Sequence, residues 1–93
     1  MSTKAERRAA REKVGAYHEE QLGRLVEHLA NAVDDYRADR LDPFEVDEVV
    51  FQYSRAAKEL WKFCNLTTVE IAARIIAEDP VTDWWESGVR RQR

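Results

Sequence analysis

The sequence holds one cysteine, and that single thiol removes a disulfide framework and every multi-cysteine zinc motif from consideration. Proline occurs twice and glycine three times, too few of either for the turns of a β-rich fold. No apolar run exceeds three residues, whereas a helix that spans a bilayer needs ~20. Residues 1–13 are charged and lack the apolar core of a secretory signal, which points to a cytoplasmic protein. What remains is a small helical protein.

The 93 residues are 44% hydrophobic and 35% charged, a balance that excludes a disordered tail. A chain of this mass should expose roughly 5,600 Å² when folded against ~16,000 Å² unfolded, enough burial for a small core. The net charge of −3 conceals an asymmetry. Residues 1–13 carry +3 and residues 90–93 another +3, which leaves −9 on residues 14–89.

Helix signals recur along the chain. In Leu41-Asp42-Pro43-Phe44-Glu45, Asp42 is an N-cap, Pro43 fits the first helical position and Glu45 can reach back to the cap. Thr67 and Glu70 form a second capping-box pair, and Asn65 before them suits a left-handed helix end. Asp79-Pro80 ends a third helix and starts a short fourth. Between these signals Leu22, Leu25, Val26, Leu29, Ala32, Val33 and Tyr36 keep a three-four rhythm, as do Val46, Val49, Val50, Tyr53, Ala56, Ala57, Leu60, Phe63 and Cys64. The spacing predicts an all-α chain with helices over about 4–39, 43–64, 67–78 and 80–87.

A short linker folds the first two helices antiparallel. Tyr36 then faces Val46, Leu29 faces Tyr53 and Leu22 faces Leu60, a single register about Leu41. The first helix is the longer, ~54 Å against ~33 Å, so residues 1–13 form a basic arm that overhangs the hairpin as helix or frays. Residues 14–88 form one helical domain and residues 89–93 a basic tail. Gly15 and Gly23 weaken the first helix by about 1 kcal/mol each relative to alanine, unless another helix approaches them closely.

Phe44 and Phe51, seven apart, and Trp61 give the second helix an apolar stripe away from the hairpin seam. The third helix covers part of that stripe, and Trp84 and Trp85 add two large rings. Phe44, Phe51, Trp61, Trp84 and Trp85 are the candidate partner-binding residues, since large rigid rings give much burial for little entropy. Two adjacent helical residues point about 100° apart, so one of the paired tryptophans can face inward and the other outward.

Catalytic patterns fail one by one. His18-Glu19 opens like the zinc-protease helix, but Leu22 stands where the second histidine belongs. No glutamate precedes either histidine by three residues, as a di-iron bundle requires. Ser54 and Ser87 have no supporting triad motif, and the acidic clusters near the hairpin tip lack the spacing of a calcium loop. The hairpin register does place His18 opposite Cys64, with Glu19 near, an arrangement open to thiolate or metal chemistry but equally to a satisfied histidine beside a buried cysteine. No catalytic residue, cofactor or metal is expected. Lys4, Arg7, Arg8 and Arg11, with Arg90, Arg91 and Arg93, are candidate nucleic-acid contacts, though the acidic body opposes them. The sequence reading is a non-enzymatic helical interaction module, most simply a homodimer, with nucleic-acid association as the alternative.

Overall fold

The computed structural model describes residues 3–80 and 83–90, and those residues form four helices and no strand. Helix α1 spans Lys4–Arg37, α2 Pro43–Leu66, α3 Val69–Glu78 and α4 Trp84–Ser87. The chain is all-α, with the long α1 packed against α2 as an antiparallel hairpin.

Local chemistry sets the helix ends. Thr3 caps α1 by accepting from the Glu6 backbone N–H at 3.1 Å. At the other end Arg40 N–H donates to Asp35 O at 2.8 Å and Asp39 N–H to Tyr36 O at 3.1 Å, the paired bonds of a Schellman turn. Asp39 takes the left-handed position of that turn, with φ of 59°. The Asp42–Glu45 capping box forms in full: the Glu45 N–H donates to the Asp42 carboxylate at 2.8 Å and the Asp42 N–H to the Glu45 carboxylate at 3.1 Å.

The next two junctions differ from expectation. Helix α2 runs through Asn65 to Leu66, its last turn supported by an Asn65 side-chain bond to Trp61 O at 2.9 Å. Thr67 therefore ends α2 instead of opening α3. Thr68 takes the cap position with no side-chain cap bond, so the expected Thr67–Glu70 box does not form. Helix α4 begins at Trp84, later than the expected residue 80, because Asp83 supplies the cap through the Glu86 N–H at 3.3 Å.

Leu25, Ala56, Leu60 and Trp84 form the buried core. Leu22, Tyr53, Phe63 and Cys64 pack against it, in keeping with the predicted seam. The seam loosens toward the hairpin tip, where Tyr36 is exposed. Helix α3 packs chiefly on α1 rather than over the outer stripe of α2, so the expected cover for that stripe is missing. Its Ala72 is fully buried. Neither Gly15 nor Gly23 has an atom within 4 Å of where a Cβ would stand, so neither serves a close approach. The molecule measures 55 × 31 × 18 Å, a flat slab. No helix among the described residues is long and apolar enough to cross a membrane.

Candidate interaction surface

Residues 84–90 decide which side of the hairpin is covered. Trp84 enters the core at 8% exposure, and its indole N–H donates to the Tyr17 hydroxyl at 2.8 Å. Phe63 lies against the same ring with centroids 5.6 Å apart, and Tyr17 meets Phe63 edge-on at 6.1 Å. Trp85 turns the other way and stacks flat on His28, 4.0 Å between centroids and 3° between planes. Two α2 side chains hold the backbone of this segment. Gln52 donates to Trp85 O at 3.1 Å, a carbonyl that also accepts from the Gly88 N–H, and Arg55 donates to Gly88 O at 2.6 Å. Gly88 rests directly on α2, where a Cβ would lie 2.8 Å from both Cβ and N of Ala56 and closer still to Gln52 O. We call residues 84–88 the clasp.

The clasp touches Tyr17 and His28 on α1 and Gln52, Ala56 and Phe63 on α2, so it covers one broad face of the hairpin. Val26 is nine residues from Tyr17, and Trp61 is nine from Gln52. Nine residues are two and a half helical turns, so each pair points to opposite sides. Val33 joins Val26, and Val50 joins Trp61, on the face away from the clasp. All four are exposed, Trp61 at 51%. Half-buried Leu22, Leu29, Tyr53 and Ala57 fill the floor between them. This is an open apolar face.

The five expected contact aromatics therefore separate. Trp84 is a core residue, withdrawn from any contact surface, and Trp85 is half-buried in its stack on His28. Trp61 belongs to the open face, about 80° around α2 from Phe51. Phe44 at 82% exposure and Phe51 at 56% point outward from the back of α2. Phe51 also borders an open cleft of about 600 Å³ with Glu48, Arg55, Val89 and Arg90.

Lys4, Arg7, Arg8 and Arg11 are exposed along the first turns of α1 and make no ion pair among the described residues. Arg90 is exposed at the clasp's end, while Arg91 and Arg93 lie outside the described residues. His18 and Cys64 do come together, lining a groove of about 400 Å³ with Arg11, Gly15 and Thr67. Burial pushes the Cys64 thiol above its ordinary pKa, the reverse of what an activated thiolate needs. Among the described residues no three His, Cys, Asp or Glu side chains gather to hold a metal.

The rhythm groups Val26, Val33 and Val50 with the seam residues, whereas the structure leaves all three exposed. The signal is the doublets Leu25-Val26, Ala32-Val33 and Val49-Val50. Two adjacent apolar residues widen a stripe by about 100°, beyond what one neighbouring helix covers. Nothing in the sequence marked Gln52, Arg55 or His28 as clasp partners. Compared with protein-family models, curated proteins and solved structures, the chain matches none.

Proposed function

We propose that this chain is a non-enzymatic, cytoplasmic helical interaction module that self-associates through the open face of its hairpin. The carrying observation is the uncovered apolar face of Val26, Val33, Val50 and Trp61. Accessible area supports it: the chain exposes 7128 Å², against roughly 5,600 Å² for a compact monomer of its mass. The exposed arm of residues 3–9 accounts for part of the excess of ~1,500 Å² and the open face for another part, against the ~800 Å² per partner that a standard interface buries. Phe44 and Phe51 point outward from the back of α2, off this face, and stay exposed in such a contact. Light scattering at tens of micromolar protein should give about twice the 10.9 kDa chain mass. Trp61→Glu should return the single-chain mass with helicity unchanged. A wild-type chain that stays at 10.9 kDa refutes self-association.

Nucleic-acid binding through the basic arm is the second candidate function, carried by four exposed arm cations that make no ion pair among the described residues. Affinity for duplex would then fall by about 0.9 log units per log unit of salt for each phosphate contacted. Absence of binding at low salt removes it. The −9 on residues 14–89 weighs against it.

A further inference from the structure

We infer that the partner is a second copy of this chain laid antiparallel, its basic N-terminal arm over the acidic hairpin tip of the first. The inference rests on the self-association proposed above and adds the direction of pairing. It begins with a coincidence of helical phase. Lys4, Arg8 and Arg11 stand eighteen residues before Leu22, Val26 and Leu29, respectively. Eighteen residues are five whole turns, so the cations continue the stripe that forms the α1 half of the open face. Residues 3–9 are all exposed, so the arm remains uncovered beyond the hairpin.

The opposite end of the slab carries the opposite charge. Residues 34–48 hold seven carboxylates against Arg37 and Arg40, net −5. Part of that charge is used within the chain: Asp35 pairs with Arg40 at 2.9 Å, and Asp42 and Glu45 close the capping box. Asp34, Asp39 and Asp47 make no ion pair among the described residues. The long axis of the molecule therefore runs from an arm at +3 to a tip at −5.

Two closed arrangements bury the same apolar face on both copies. With the hairpins parallel, arm lies on arm and tip on tip, and both ends repel. With the hairpins antiparallel, each arm meets a tip. Lengths agree with the second arrangement. Glu27 is near the middle of the open face, Lys13 is fourteen residues before it and Leu41 fourteen after. A two-fold axis there brings the inner end of one arm, roughly 21 Å away along the helix, to the other chain's tip. The product is a two-layer four-helix bundle with an apolar centre and two charge-matched ends. Complementary charge chooses between orientations more than it adds affinity, so the apolar face holds the dimer and the ends set its direction.

A charge-swap series tests this. The full chain carrying Arg8→Glu and Arg11→Glu should dimerise about tenfold or more weakly than wild type at low salt, by sedimentation equilibrium. A second full chain carrying Asp34→Lys and Asp47→Lys should be weakened similarly, since these exposed residues cap no helix and pair with nothing among the described residues. A one-to-one mixture restores both arm–tip contacts and should dimerise within about threefold of wild type. In 1 M salt, where the Debye length is about 3 Å, the differences should shrink. Direction is read separately. A spin label at Arg8→Cys in a Cys64→Ser background, mixed with isotope-labelled wild type, should broaden amides at residues 34–48 of the partner. Broadening at the partner's residues 4–13, or double variants that dimerise as tightly as wild type, would overturn the antiparallel pairing while self-association stands. A monomeric wild type would overturn both.

Discussion

One substitution at three glycines separates two effects that composition cannot distinguish. Gly88 has φ of −89°, which any residue adopts, so its requirement is for space and not for backbone freedom. An alanine methyl there would sit 2.8 Å from Ala56 Cβ and N and against the Gln52 carbonyl, all of them backbone or first-carbon atoms that cannot swing aside. Residues 84–88 must lift. Overpacking of this kind costs about 1–3 kcal/mol, and the movement also loosens the Arg55 and Gln52 bonds to the clasp, about 1 kcal/mol or more. Gly88→Ala should then cost about 2–4 kcal/mol, a large share of the ~5–14 kcal/mol expected for a domain this size. Urea unfolding at fixed protein concentration reads it directly, with loss of near-ultraviolet dichroism from Trp84. Gly15→Ala and Gly23→Ala meet nothing within 4 Å and should stabilise by about 0.5–1 kcal/mol each, by restricting the unfolded chain and favouring helix. A Gly88→Ala chain within 0.5 kcal/mol of wild type, or equal losses at all three sites, would refute the close packing of the clasp.

Asp42→Ala should cost about 1 kcal/mol in urea unfolding, since the capping box is intact, whereas Thr67→Ala should change stability by less than about 0.5 kcal/mol because its expected box is not formed. Trp84→Phe keeps most of the apolar volume but removes the indole donor to Tyr17, for a loss of about 1–2 kcal/mol; Trp84→Ala should lose about 3–5 kcal/mol. Cys64 at pH 8 should react with a disulfide reagent more slowly in the folded chain than in urea, because its thiol pKa is raised by desolvation. As pH climbs past the ordinary thiol range, the unfolded chain ionises Cys64 before the folded chain does, so stability falls until the raised value is reached, a loss that Cys64→Ser should abolish.

The hairpin was legible because two independent signals agreed: the Asp42–Glu45 cap placed the turn, and the apolar rhythm on both sides shared one register about Leu41. Even the meeting of His18 with Cys64 followed from that register. The α2–α3 junction was misjudged by a residue or two because Thr67 and Thr68 are both competent caps and only packing chooses between them. The candidate surface was legible in part. Phe44, Phe51 and Trp61 are exposed as expected, yet the fate of Trp84 and Trp85 depends on Tyr17 and His28, more than fifty residues away in sequence. Which face the clasp would cover, and hence which valines stay uncovered, is a long-range choice that local spacing does not encode.

The bond between Trp84 and Tyr17 joins residues 67 apart, and this has a consequence for how the protein folds. Helices α1 and α2 meet across the short turn at Leu41, whereas the clasp must close a far longer loop before it docks. Until it docks, the hairpin shows the floor of its core around Leu25, Ala56 and Leu60 on one side and the valine face on the other. A slab apolar on both broad sides is the form most prone to capture by chaperones or by its own kind. Docking of residues 84–88 covers one of those sides and leaves the other open.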